Sequence, residues 1–201
     1  MDETRWIMLD VETSGLNMKS DRLLAIAAIA LRVDWSVKTL KVDLGDSFEV
    51  VLRQDQISSK DNILLHGIGA QRQRDGVDPA KAMRSFAAFA GNSPLMAFHA
   101  LFDQTMINRY ARAYLGGNLP SPWIDLDHLC VVTHEGVRAR SLDDWMSHFG
   151  ITCAVRHQAA ADTLAECDLL QRIWPTVASQ CTQWRDVQRL AELHQWLARA
   201  G

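Results

Sequence analysis

A pair of carboxylates near the start of the chain, Asp10 and Glu12, follows a short apolar run. Residues two apart on a strand point to the same face, about 6.6 Å apart along the chain, so both acids would project from one side of a strand end. Ile7 and Leu9 make the approach to Asp10 apolar, and a buried carboxylate is costly without a partner. The pair could grip one or two divalent cations, whereas a solvated strand end would explain the same two residues.

Two further acids and a histidine lie later in the chain. Asp103 begins a helical segment just after an apolar run, where a helix cap would also account for it. Asp162 interrupts an apolar helical stretch, and His157 stands five residues before it. Five residues turn about 140° around a helix, so these two side chains converge only if His157 lies in the loop before the helix. A structural or solvated histidine is the alternative.

Strands that could position these residues are predicted from apolar runs bounded by turn residues. The early strands would join through short turns into an antiparallel meander, and two later strands would alternate with helices. The predicted strands are 5–10, 23–33, 38–44, 48–52, 95–98 and 121–124.

Helices are predicted where apolar residues recur at helical spacing. The predicted order begins with strands, continues with alternating helices and strands, and ends with helices. This order indicates one mixed α/β domain. The predicted helices are 79–90, 102–114, 141–149, 158–173 and 182–200.

Composition excludes several classes of protein. Of 201 residues, 48% are hydrophobic and 22% are charged, which is typical of a folded chain and argues against disorder. The formal net charge is −3, from 21 Lys and Arg against 24 Asp and Glu, which argues against a polycationic nucleic-acid coat but leaves room for a local basic groove. The longest apolar run, 23–31, is shorter than the roughly 18 residues that indicate a membrane span.

The remaining sequence signals favour a cytoplasmic protein with no membrane partner. The acidic N-terminus lacks a signal-peptide pattern, and the cysteines form no C-x-x-C pair. Reduced, buried thiols are therefore expected, and a zinc site is not. The cysteines are Cys130, Cys153, Cys167 and Cys181.

Three segments, in order, resemble the motifs of the DEDDh 3′–5′ exonucleases, the family that includes the proofreading epsilon subunit of DNA polymerase III and ribonuclease T. Residues 9–16, LDVETSGL, are similar to the first motif, D-x-E-T-T-G-L. Residues 97–103, AFHALFD, are similar to A-H-N-A-x-F-D, and residues 156–162, RHQAAAD, are similar to R-H-x-A-x-x-D. Residues 64–68 and 123–126 fall where the family has H-G-I and a D-T-like segment.

This resemblance implies a ribonuclease H-like α/β fold, in which a mixed five-stranded sheet is flanked by helices. We expect a single exonuclease domain over residues 1–201. Its core would be about 5–173, the extent of the resemblance, and a C-terminal helix would cover 182–200.

The resemblance also implies roles for five catalytic residues around two divalent cations. Asp10 would bridge both cations, and Glu12 and Asp162 would hold the one that activates water. Asp103 would support the second cation, and His157 would accept the proton of the attacking water as general base. Ligation by carboxylate oxygens alone suits Mg²⁺ or Mn²⁺.

Substrate contacts are implied at five more positions. Thr13 and Ser14 would contact the terminal 3′-hydroxyl, and His99 would lie near the substrate. Leu16 and Phe102 would wedge or stack on the terminal bases, with core packing as the alternative for each. Basic residues that could meet the nucleic-acid backbone are Lys19, Arg22, Arg109 and Arg156.

Four positions depart from the family pattern. Ser14 replaces a Thr and keeps the hydroxyl, whereas His99 replaces an Asn and would change the hydrogen bonds near the substrate. Gly69 replaces a Thr, and Ala25 stands where Glu is frequent. All five catalytic positions are kept, which argues against an inactive relative.

The leading hypothesis is a metal-dependent 3′–5′ exonuclease that releases 5′-mononucleotides from the 3′ ends of single-stranded DNA or RNA. One alternative is a proofreading subunit that would offer Val187, Leu193 and Trp196 to a DNA polymerase. Packing of that C-terminal helix on its own domain would count against it. Another alternative is a phosphodiesterase for short oligonucleotides. The choice between DNA and RNA, the processivity and the oligomeric state stay open at this point.

Overall fold

A computed structural model describes residues 2–194 of the chain. Its strands form one sheet in the order β3-β2-β1-β4-β5, in which β1 pairs antiparallel with β2 and parallel with β4. The predicted mixed five-stranded sheet flanked by helices is therefore confirmed. The strands are β1 (Arg5–Thr13), β2 (Leu23–Asp34), β3 (Thr39–Val51), β4 (Leu95–Ala97) and β5 (Trp123–Asp125).

The prediction of two strands on either side of Gly45 is wrong, because β3 runs through both. The register between β2 and β3 shifts here, and residues 44–46 bulge from the strand instead of forming a turn. Asp46 in this bulge pairs with Arg5 and Arg32, each at 2.7 Å between nitrogen and oxygen. Two ion pairs across the sheet thus hold a segment whose Gly and Asp are typical of turns.

Helices flank the sheet on both faces. The helix predicted over 79–90 is confirmed, and the helix predicted over 158–173 continues to Gln180 through Pro175, because its last turns bury apolar side chains. The short helices α1, α2 and α5 were not predicted. The helices within residues 2–194 are α1 (Lys60–His66), α2 (Ala70–Arg74), α3 (Pro79–Ala90), α4 (Leu101–Leu115), α5 (Leu126–Thr133), α6 (Leu142–Phe149), α7 (Ala159–Gln180) and α8 (Trp184–Glu192).

Side chains of β1 alternate between two cores. Ile7 and Leu9 pack with α3 and α4 on one face of the sheet. Trp6 and Met8 pack with α5, α6, α7 and α8 on the other face. The alternation places the next even-numbered residue, Asp10, on the side that α7 covers.

The C-terminal helix packs on its own chain over its described residues. Trp184 and Val187 are fully buried, and Leu190 is buried as well, whereas Leu193 is half exposed. Trp196 and the rest of the helix predicted to residue 200 lie outside the described residues. Within residues 2–194, no helix combines the length and the apolar character that crossing a bilayer requires.

Candidate active site

Three of the predicted acids meet where β1 faces α7. Asp10 and Glu12 project from the same face of β1, and Asp162 lies in the first turn of α7. One carboxylate oxygen from each of the three lies within 4.8 Å of the other two. Such a spacing of oxygen ligands can hold a hard divalent cation.

Asp103 reaches the same cavity from the opposite side of the sheet. It lies in the first turn of α4, is 4% exposed, and its Oδ1 accepts a hydrogen bond of 3.1 Å from the backbone N–H of Val11. The cavity has a volume of about 650 Å³ and includes all five predicted catalytic residues. Asp103 is not among the three acids that lie within 4.8 Å of each other, and it faces the cavity beside Asp10.

His157 lies in the loop before α7, the position that convergence with Asp162 requires. The helix begins at Ala159, and His157 has a left-handed backbone with φ of 61°. Its backbone N–H donates a 2.9 Å hydrogen bond to Oδ2 of Asp162, and its exposed side chain lines the cavity. A proton acceptor therefore stands at the open edge of the carboxylate cluster.

Burial and mutual repulsion perturb the cluster. Burial, followed by the charge of Asp162, raises the pKa of Asp10 to about 8. Burial and the charges of Asp10 and Asp162 raise the pKa of Glu12 to about 9, and Oε1 of Glu12 is buried without a hydrogen-bond partner. Burial also raises the pKa of Asp103 well above its usual range. A divalent cation would relieve this repulsion and supply the missing partner, so these residues fit a metal site.

The metal-free protein should lose stability as the pH rises. The folded state keeps protons on Asp10 and Glu12 that the unfolded chain releases near pH 4. The stability that these two protonated carboxyls contribute to the folded state is therefore complete below roughly pH 4 and is lost by about pH 9. We expect the Tm in chelator to fall between pH 5 and pH 9, with a smaller fall in Asp10→Asn. With saturating Mg²⁺, the Tm should depend much less on pH. A Tm that rises with pH in the wild type but not in Asp10→Asn would contradict this assignment.

The turn after β1 carries Thr13 and Ser14, the predicted contacts for a 3′ end, of which Thr13 lines the cavity and Ser14 does not. Thr13 Oγ1 donates to the carbonyl of Gly15 at 2.7 Å, and Ser14 Oγ donates to Oδ1 of Asp21 at 3.1 Å. Leu16 is 87% exposed at the cavity edge, which excludes core packing as its role. The turn therefore has a fixed backbone and a free apolar tip.

Arg109, predicted as a candidate for the nucleic-acid backbone, instead binds the loop that follows this turn. Its guanidinium donates to the carbonyls of Met18, at 2.6 Å, and of Asp21. Arg22 similarly donates to the carbonyl of Gln56. Both guanidiniums are engaged within the chain.

A side chain at Gly15 would displace the carboxylate of Asp21. A Cβ placed there would lie 2.5 Å from Oδ2 of Asp21, the oxygen that accepts the Asn17 N–H at 2.7 Å. We expect Gly15→Ala to lower kcat/KM by about 10-fold or more, because a small displacement of the turn misplaces the substrate. Steady-state kinetics checks this, with Gly117→Ala as control, since a Cβ at Gly117 meets no atom within 4 Å. Equal kcat/KM values in the two variants would argue against this role of the turn.

His99 lies at the cavity edge in a strained backbone. Its φ is 56°, and the Asp125 carboxylate fixes the turn by accepting the backbone N–H groups of His99 and Ala100, each at 3.0 Å. The side chain of Asp127, 3.6 Å from Nε2 of His99, raises the pKa of this histidine. Phe102 is half-buried, lines the cavity and also packs against the core below it.

Among the described residues that line the cavity, Arg156 is the only lysine or arginine. Its guanidinium pairs with Asp162, and its Nε lies 2.6 Å from Oδ1 of Asp143. A cation of the chain itself thus offsets part of the charge of the carboxylate cluster.

Sequence reasoning missed several residues of this cavity. Asn62 and Leu65 come from α1, a helix that was not predicted; Asn62 Nδ2 donates to the carbonyl of Thr13 at 2.9 Å. Asp143 lies at the start of α6. Glu166 follows Asp162 by one helical turn, and this i, i+4 spacing was a signal that could have placed it in the cavity.

The sheet order and the two flanking layers of helices define a ribonuclease H-like α/β protein, and comparison with solved structures agrees. Escherichia coli exonuclease I in a zinc-bound complex with single-stranded DNA superposes with a TM-score of 0.70 at 16% identity, over 89% of this chain and 43% of that chain. Cell-death related nuclease 4 superposes with a TM-score of 0.69 at 14% identity, over 84% of this chain and 63% of that chain. At these identities the likeness establishes the fold.

The chain belongs to the Exonuclease family, RNase_T, whose sequence pattern matches residues 7–170. The resemblance to DEDDh 3′–5′ exonucleases is thereby confirmed.

The curated relatives that match this chain are much longer proteins. The DNA polymerase III PolC-type protein of Bacillus subtilis (strain 168) is 26% identical over 187 residues, which are 92% of this chain and 12% of the relative. The corresponding protein of Clostridium perfringens (strain 13 / Type A) is 24% identical over 169 residues, or 84% of this chain and 11% of the relative. The chain thus spans about an eighth of the length of these relatives.

Proposed function

We propose that this chain is a metal-dependent 3′–5′ exonuclease that removes 5′-mononucleotides from the 3′ ends of single-stranded DNA or RNA. The observation that carries the proposal is the mutual approach of Asp10, Glu12 and Asp162 within 4.8 Å, in a member of the Exonuclease family. Residues 1–201 would form one exonuclease domain.

The donor set supports a hard divalent cation, Mg²⁺ or Mn²⁺, because it consists of carboxylate oxygens. Asp10, Glu12 and Asp162 would hold one cation, and Asp10 with Asp103 would hold a second. Two bound cations would polarise the phosphodiester and increase the acidity of the attacking water.

His157 is the proposed general base. Its side chain lines the cavity beside Asp162, and the hydrogen bond between its backbone N–H and Asp162 ties its position to the carboxylate cluster. An imidazole outside the helix can accept the proton of water from the open side of the cavity.

The substrate would enter along the exposed edge of the cavity. Thr13 and Ser14 would meet the 3′-hydroxyl, and His99 would lie near the substrate. Leu16 and Phe102 offer apolar surface to the terminal bases, and stacking of this kind accepts any base.

The test is incubation of 5′-labelled single-stranded DNA and RNA with Mg²⁺, with Mn²⁺ and with chelator. We expect stepwise shortening with either cation and none in chelator. Internal cuts, or shortening that continues in chelator, would contradict the proposal. The rates on the two substrates would give the preference between DNA and RNA.

A second candidate function, proofreading in association with a polymerase, is favoured by the similarity to PolC-type DNA polymerase III. The burial of Val187 and Leu190 takes the apolar face of α8 away from a partner and leaves its polar face exposed. Gel filtration with a replicative polymerase from the same organism would test this function. Co-elution with faster removal of mismatched 3′ ends would support it, and independent elution would contradict it.

A further inference from the structure

Glu166 is a buried carboxylate that none of the roles above uses. It lies one helical turn after Asp162 on α7, is 2% exposed and lines the cavity. Its Oε2 is buried and has no hydrogen-bond partner. A buried carboxylate is strongly unfavourable in its charged form, so Glu166 stays protonated unless a positive partner stands near it.

The charges around the cavity do not supply that partner. Arg156, its one Lys or Arg among the described residues, is already paired with Asp143 and Asp162. Two divalent cations would balance the four predicted metal ligands but leave the charge of Glu166. The acids that line the cavity are Asp10, Glu12, Asp103, Asp143, Asp162 and Glu166.

Glu166 lies in the wall of the same cavity as Asp10 and Asp103. Burial raises its pKa well above the usual range, and the charges of Asp10, Asp103 and Asp162 add to the rise in that order. The charges that raise the pKa of Glu12 are those of Asp10 and Asp162. The charge of Asp103 is thus among those that act on Glu166 and not among those that raise the pKa of Glu12.

We propose that Glu166 is a positioning residue for the cation shared by Asp10 and Asp103, acting as an outer carboxylate that reaches this cation through water. An outer role fits the geometry, because Glu166 is not among the acids whose oxygens lie within 4.8 Å of one another. This inference rests on the proposed function.

The test is calorimetric titration of Mn²⁺ into the metal-free protein without nucleic acid. We expect two binding events in the wild type. In Glu166→Gln, which keeps the shape of the side chain, the Kd of one event should rise about 10-fold or more, as is typical when an outer partner of a metal site is removed. Asp168→Asn is the control, because it removes an acid from α7 outside the cavity.

A double variant identifies which cation is affected. Adding Glu166→Gln to Asp103→Asn should change the Mn²⁺ affinity by less than about 2-fold, because both residues would act on the same cation. Glu166→Ala is measured in parallel, so that the Mn²⁺ affinity without Glu166 can still be obtained if Glu166→Gln does not fold.

Two results would overturn the inference in different ways. Wild-type Kd values in Glu166→Gln, or an equal loss in Asp168→Asn, would remove the role of Glu166 and leave the proposed function intact. A wild-type protein that binds no Mn²⁺ would overturn the proposed function and, with it, this inference.

Discussion

Asp10→Asn should lower kcat by at least about 10³-fold on a single-stranded oligonucleotide, while the protein stays folded. The loss is large because Asp10 would touch both cations, and several kcal/mol of transition-state charge stabilisation depend on them. The measurement is single-turnover hydrolysis with saturating Mg²⁺.

The same variant should be more stable than the wild type without metal. Burial, followed by the charge of Asp162, raises the pKa of Asp10 to about 8, so the neutral amide removes an unfavourable ionisation. At high pH we expect a gain of about 2 kcal/mol, or roughly 4–8 °C in Tm for a chain of this size. Asp168→Asn should change neither the rate nor the Tm. A variant that is both inactive and less stable would indicate misfolding and not the loss of a ligand.

His157→Asn should lower kcat by about 10²–10⁴-fold, the usual contribution of a general base. Asparagine is the sharper replacement, because it accepts the left-handed backbone at φ of 61° better than most residues. The Kd for Mn²⁺ should stay within about 2-fold of the wild-type value, because the proposed role of the His157 ring is to accept a proton and not to bind the metal.

The matched control for this variant is His148→Asn, an exposed histidine on α6 that does not line the cavity. It should keep the wild-type rate. If His157→Asn turned over at the wild-type rate, another group would have to accept the proton. If instead Mn²⁺ binding disappeared with the rate, His157 would be holding the cluster together.

The sequence was sufficient where the chemistry depends on local spacing. Alternation on a strand predicted that Asp10 and Glu12 share a face, and β1 places them there. Asp162 follows His157 by five positions, a spacing that allows the two to converge only with the histidine in a loop, and α7 begins after His157. These inferences need only the geometry of one element.

The sequence was not sufficient where the structure depends on distant partners. The bulge of β3 is held by Arg5 and Arg32, which no local pattern around Gly45 reveals. Helix α1 is short, exposes Leu64 and Leu65, and therefore shows no clear apolar periodicity. Its contribution to the cavity followed from tertiary packing alone.

Three of the four predicted basic contacts, Arg22, Arg109 and Arg156, take partners within the chain, whereas Lys19 is exposed. Arg109 binds backbone carbonyls of the loop after β1, and Arg156 pairs with Asp143 and Asp162. The type of residue indicated a phosphate partner, but the partner that an arginine takes is decided by the elements that fold against it.

Hydrolysis of a single-stranded oligonucleotide that carries different labels on its first and last nucleotides tests the central claim most directly. With Mg²⁺, the wild type should release the 3′ label first, as a 5′-mononucleotide, while the 5′ label stays on a strand that shortens stepwise. Asp10→Asn should release neither label. Early release of the 5′ label, internal fragments, or equal rates in Asp10→Asn and the wild type would contradict the account.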